Sequence, residues 1–222
     1  AINKYGVDPI IAVKAACHHA SRYFLLNNRG AIAPGYLADF AVIDNFKDFN
    51  VEMVFKKGVL YWNNGELRDF DAPQIEEYLD KRAHDTFHVA TLTPDDFRDT
   101  RQRGVLGMVP GEIITTDNGY ADHVDLEKDI LKIAVVERHK GTHHIGLGYI
   151  QGYGLRSGAV ATSISHDSHN IIVVGTNSAD MAFAANYIVE HHGGIVVVEN
   201  GVVKGSVVLE IAGIMSDRPL TE

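Results

Sequence analysis

The sequence predicts an α+β protein, and three observations carry that expectation. A capped helix near the start is followed by short strands rather than by a helical bundle. Ile130–Arg138, Ala159–Ile164 and Ile171–Val174 are apolar, β-branched runs of strand length. A second capped helix, from Asn177 or Ser178 through His192, leads directly into a glycine-centred hairpin. Strands followed by a helix and then more strands suit a mixed sheet covered by few helices.

Asp8-Pro9 opens the first helix, with Asp as the N-cap and Pro at the first helical position. Ile10, Ile11, Val13, Ala16 and Cys17 form its apolar stripe, and Ala20–Phe24 continues it to Asn27-Asn28 and Gly30. Pro34-Gly35 reads as a turn and Phe40–Ile43 as a short buried strand. Val51–Phe55 and Val59–Trp62 form a hairpin around Lys56-Lys57-Gly58, and Asn63-Asn64-Gly65 ends it. The charged stretch Arg68–Asp99 reads as an exposed helix over Pro73–Ala83 followed by a linker, with Thr93-Pro94 starting a turn. A domain boundary is expected here.

Beyond the boundary, Val105–Val109 and Glu112–Thr116 are strand candidates, the second ended by Asp117-Asn118-Gly119 as a hairpin-type turn. After Ile130–Arg138 comes a glycine-punctuated segment, Gly146 to Gly158, whose glycines suit bends or close backbone approach within a sheet. Met181, Ala184, Ala185 and Ile188 share one face of the last helix, which Gly193-Gly194 stops. Ile195–Glu199 and Val202–Leu209 then pair around Asn200-Gly201.

Composition excludes several function classes. The 222 residues carry a net charge of −9 with no basic block, so a nucleic-acid backbone is not an expected partner. No apolar run approaches the roughly 20 residues of a membrane span. One cysteine, Cys17, excludes an internal disulfide and a cysteine-rich zinc site, and a cytoplasmic location is expected. There is no His-x-His, no His-Glu-x-x-His, no Walker loop and no Gly-x-Ser-x-Gly elbow. The glycines follow Gly-x-Gly-x-x-x-Gly, not the dinucleotide spacing.

Histidine use is the unusual feature. Twelve occur, and His139, His143, His144, His166 and His169 lie close together in sequence. His166, Asp167, Ser168, His169 and Asn170 form an unbroken polar run between two buried strands. His166 and His169 converge only if the chain turns, and Asp167-Ser168 is turn chemistry. Two readings stand side by side here: a turn stabilised by its own side chains, or a site that binds a metal, relays protons or contacts a polar heterocycle. Glu137 and Arg138, at the end of a buried strand, read as an internal ion pair.

Gly6-Val-Asp-Pro, Gly30-Ala-Ile-Ala-Pro-Gly and Ala38-Asp-Phe-Ala-Val-Ile-Asp resemble the C-terminal end of an amidohydrolase-superfamily enzyme. Ala134-Val-Val-Glu-Arg-His, Ile145-Gly-Leu-Gly-Tyr-Ile-Gln-Gly-Tyr-Gly-Leu, Gly158 through Asn177 (with Ser-His-Asp-Ser-His-Asn inside it) and Gly193-Gly-Ile-Val-Val-Val resemble the C-terminal domain of the microbial adenine deaminases, a branch of that superfamily.

The resemblance implies residues 1–26 as the last helical segment of a truncated barrel, 27–67 as a small β unit, 68–99 as an acidic helix and linker, and 100–222 as an α+β C-terminal domain. A barrel needs about 250 residues, so the chain is expected to be the tail of a longer polypeptide; its missing initiator Met fits that expectation. The implied activity is hydrolytic deamination of adenine to hypoxanthine and ammonia in purine salvage. The implied cofactor is a divalent metal (Mn, Fe or Zn) whose ligands are not on this chain, so the chain alone is expected to be inactive. His166, Asp167 and His169 are the expected catalytic residues, Ser168 and Asn170 the substrate-binding ones, and no metal ligand is expected. The implied partners are adenine and either the missing barrel or another copy of the chain, with a homo-oligomer expected. The alternatives are a non-catalytic assembly module and an amidohydrolase acting on a cyclic amide.

Overall fold

A computed structural model describes residues 1–68 and 74–218. The chain divides into two compact units, Ala1–Gln74 and Ile75–Glu222.

In the first unit, α1 (Ile2–Tyr5) precedes α2 (Pro9–Lys14), which runs through a π turn, Ala15–His19, into α3 (Ala20–Tyr23). The Asp8 cap forms as expected: its Oδ1 accepts from the N–H of Ile10 at 2.9 Å and of Ile11 at 3.1 Å. Strands β1 (Phe40–Ile43), β2 (Val51–Lys56), β3 (Val59–Asn63) and β4 (Glu66–Leu67) form an antiparallel sheet in chain order. Lys57 and Gly58, with φ of 50° and 78°, make the two-residue β2–β3 turn, and positive φ at both central positions matches the twist of the strands. The expected barrel end is not confirmed. Among the described residues of this unit the sheet is antiparallel, and Ile10 and Ile11 on α2 remain 55% and 60% exposed.

The second unit is a mixed sheet with one long helix, so it is α+β as expected. Its elements are α4 (Glu77–His84), a 3-10 turn at Pro94–Phe97, β5 (Arg103–Met108), β6 (Thr115–Ala121), β7 (Ile130–Val136), β8 (Ile145–Gln151), β9 (Ala159–Thr162), β10 (Ile171–Gly175), α5 (Ser178–Glu190), β11 (Gly194–Glu199) and β12 (Val202–Val208). The strand order is β12-β11-β9-β10-β7-β8-β5-β6, with β5–β8 the parallel pair and the other neighbours antiparallel. β10, α5 and β11 form a crossover that spans β9, a split β-α-β arrangement.

Alternation along the strands decides the core. Ala134 and Val136 of β7, Ile171 and Val173 of β10, Ala159 and Ala161 of β9, and Val196 and Val198 of β11 point to one face. There they meet Met181, Ala184, Ala185 and Ile188 of α5, the stripe expected from the sequence, and all four are fully buried. Asn177 caps α5 by accepting from the Asp180 N–H at 2.8 Å.

Three differences from the sequence reading have local causes. Asp117-Asn118-Gly119 is not a hairpin turn but lies inside β6, where the β5–β6 register shifts between Gly104 and Leu106 and Gly119 takes a φ of 83°. The first half of the glycine-punctuated segment is a strand, β8 (Ile145–Gln151), paired on both sides, while Gly152, Gly154 and Gly158 beyond it bend the chain at φ of 89°, 82° and 80°. The stretch read as linker supplies core: Leu92 and Phe97 are buried, and the Leu92 backbone makes two hydrogen bonds with the Asn186 side chain at 2.9 and 2.8 Å. Its helix begins at Glu77, and residues 69–73, including Pro73, lie outside the described residues.

Candidate functional site

The polar run His166–Asn170 joins β9 to β10 at the end of the sheet where β7 also finishes. Two strands that pair antiparallel need a reversal between them, and Ser165–Asn170 provides it. The His169 N–H donates to the Ser165 carbonyl at 2.5 Å, Ser165 Oγ lies 3.3 Å from Ser168 Oγ, and the Asn170 N–H donates to Ser168 Oγ at 3.3 Å. The expected turn therefore exists, and it brings the two histidines together. Their rings are 6.2 Å apart, edge to face.

The five residues take different positions within it. The side chains of His166 and Asp167 stand in solvent, 85% and 89% exposed, and pair with each other through Nδ1 and Oδ1. His169 adopts a left-handed backbone, φ 51°, and its Nδ1 is buried with no hydrogen-bond partner. Ser168 and Asn170 are both engaged: the Ser168 hydroxyl holds the turn, and Asn170 Oδ1 accepts from the Arg138 N–H at 3.4 Å. Of the expected site, His166 and Asp167 face outward, His169 keeps a free ring nitrogen, and the other two are engaged.

Two further residues complete the arrangement, both at the end of β7. His139 Nε2 lies 2.8 Å from the Ser168 carbonyl. Arg138 is 2% exposed, and its Nε donates to the His169 carbonyl. Its Nη1 donates to the Thr86 carbonyl at 2.8 Å and to Thr86 Oγ1 at 3.0 Å, and its Nη2 donates to the Ala212 carbonyl at 2.9 Å. The Phe87 ring lies under the guanidinium, 4.2 Å away. Burial pushes the Arg138 pKa down, yet a guanidinium stays charged at any ordinary pH.

The expected Glu137–Arg138 ion pair is absent, because successive residues of an extended chain point to opposite faces. Glu137 instead accepts from the N–H groups of His139 at 2.6 Å and Lys140 at 2.9 Å, and from Thr142 Oγ1 at 2.8 Å. Partial burial pushes its pKa up, but the hydrogen bonds from Thr142, His139 and Lys140 outweigh this and hold it at about 2. Glu137 thus shapes the 137–142 loop. Nothing in the sequence distinguished these uses of Glu137 and Arg138, since hydrogen bonds to backbone groups leave no residue pairing to read.

A metal does not fit here. Among the described residues no group of three or more His, Cys, Asp or Glu side chains could hold one, and His166 is already paired with its neighbour Asp167. What the turn offers is two imidazoles, a carboxylate and fixed backbone dipoles, a set suited to moving protons and hydrogen-bonding a polar ring.

Residues 111–222, which include the turn, match the family model of the adenine deaminase C-terminal domain, and residues 2–61 match that of the amidohydrolase family. The chain is 38% identical over 98% of its length to an adenine deaminase of Dehalococcoides mccartyi, 39% identical over 98% to one of Nitratidesulfovibrio vulgaris, and 40% identical over 98% to one of Petrotoga mobilis. It covers 39% of each of these relatives, so it spans about two fifths of the curated proteins it matches.

Proposed function

The chain belongs to the adenine deaminase C-terminal domain family, and from that premise we propose that it is the C-terminal part of an adenine deaminase, converting adenine and water to hypoxanthine and ammonia. The observation that carries this reading is identity of 38–40% over nearly the whole chain to proteins bearing that name. The match to the amidohydrolase family at residues 2–61 supports a divalent metal in the complete enzyme, held by residues outside this chain. Purine salvage and the cytoplasm are the setting the same reading implies. Among the described residues no helix is long and apolar enough to cross a membrane.

Within that enzyme the turn's task is proton traffic and substrate contact. Deamination breaks the bond from the purine ring carbon to the exocyclic nitrogen, forms a carbon–oxygen bond, and needs a proton delivered to the departing amine. His166, oriented by Asp167, and His169 beside it are the groups assigned to it. Ser168 and Asn170 set the geometry of the wall they stand on.

The test uses the complete gene product, supplied in turn with manganese, iron and zinc. Ammonia release from adenine, and no ring opening of cyclic amides, is the expected result. Turnover of cyclic amides with none of adenine, or no turnover under any metal, overturns the reading.

A further inference from the structure

Arg138 is the most deeply buried charged side chain of the described residues, and no carboxylate accompanies it. Buried charges are expensive to desolvate and are ordinarily paired. Here the guanidinium is matched instead by backbone: carbonyls of Thr86, Ala212 and His169, with Thr86 Oγ1 as a fourth acceptor. Three segments far apart in sequence are therefore aimed at one rigid fork. Of the three, only His169 belongs to the candidate site, and it is also the residue with a left-handed backbone and a buried, partnerless ring nitrogen. The neighbouring peptide adds a second hold, as the Arg138 N–H reaches Asn170 Oδ1.

We propose that Arg138 is the positioning residue of the His166–Asn170 turn: side chain and backbone together fix the His169 carbonyl and the Asn170 amide, and so set where the His169 imidazole points. This rests on the reading of the turn as part of a purine site. The fork geometry matters, because five N–H groups in one plane reach three segments at once, whereas a lysine ammonium on the same stem meets only one or two. A carboxylate beside Arg138 would neutralise it; backbone carbonyls leave its full positive charge facing the turn.

The experiment has two arms. In the complete enzyme, Arg138→Met and Arg138→Lys are assayed with adenine well below their melting temperatures. The expected result is a fall of about 100-fold in kcat for Arg138→Met, KM moving by no more than about threefold, with Arg138→Lys intermediate; misplacement of a reacting group by about 1 Å has effects of this size. Unchanged kcat with a lowered Tm means that Arg138 only ties segments together, and the proposal fails. Where Arg138→Met does not fold, Arg138→Lys and Thr86→Val, which removes a single contact, are judged by the same criterion.

The second arm needs no activity. In the complete enzyme labelled at histidine nitrogens, Arg138→Lys is expected to shift the ring signals of His169 while those of His18 and His19 stay in place. An unmoved His169 signal overturns the proposal. Absence of deamination by the wild-type enzyme would instead overturn the functional reading, and leave this second arm to decide the role of Arg138.

Discussion

His139 Nε2 lies 2.8 Å from the carbonyl oxygen of Ser168. A carbonyl only accepts, so Nε2 carries the hydrogen whatever the charge of the ring. A nitrogen-15 spectrum is expected to show the Nε2–H tautomer for His139 at alkaline pH, and the Nδ1–H form would contradict the contact. His139→Ala removes one hydrogen bond and is expected to lower unfolding free energy by about 1 kcal/mol in a urea titration.

Glu137 is expected to make the 137–142 loop acid-sensitive. Its folded pKa of about 2 lies below its ordinary 4.5. A depressed carboxylate stabilises the fold above the higher value and loses that contribution as pH falls toward the lower one. The Tm of the wild type should therefore fall more steeply than that of Glu137→Gln between pH 4.5 and about 2. Parallel curves through that window would show that Glu137 is not the group responsible.

Asp180 is a buried carboxylate serving backbone. It accepts from the N–H of Asn200 at 3.1 Å and of Gly201 at 2.8 Å, tying the start of α5 to the β11–β12 turn. Asp180→Ala leaves both donors without their acceptor and is expected to cost about 1–3 kcal/mol. Asp180→Asn keeps one acceptor oxygen, and chemical denaturation should place it between the two.

His166 and Asp167 are exposed, so changing them should leave the melting temperature within about a degree of the wild type; surface substitutions of this kind rarely exceed 0.5 kcal/mol. In the complete enzyme His166→Ala is expected to reduce kcat by about 100-fold if it carries the proton. Unaltered turnover would move that role to His169, whose replacement by Ala is the paired measurement.

Phe97, fully buried, anchors the 3-10 turn under α5. Phe97→Ala should destabilise the second unit by about 3–5 kcal/mol. A loss below about 1 kcal/mol would mean that this segment is the detachable linker its charge suggests.

Where periodicity was regular, the fold was legible. β7, β9, β10 and β11 announced themselves by β-branched apolar runs, and α5 by the Asn177 cap and the Met181–Ile188 face. Legibility failed where a residue type served an unusual purpose. Asp117-Asn118-Gly119 has turn chemistry but is absorbed by a register shift, and the glycines of β8 removed the side chains whose alternation marks a strand. Leu92 and Phe97 were hidden by the charges around them. At the site, the turn and the proximity of His166 to His169 were readable from Asp167-Ser168. The role of Arg138 was not, because its partners are main-chain carbonyls, which every residue carries.

The strand order has a consequence for synthesis. β9 lies between β10 and β11, so one of its edges is closed only by a strand that follows α5 in the chain. A nascent chain that has made the histidine turn and the helix still presents β9 as an open, apolar border able to pair with a neighbouring molecule. Truncation before Gly194 is therefore expected to yield a self-adhesive product, and Gly194–Glu199 acts as the molecule's own seal against it.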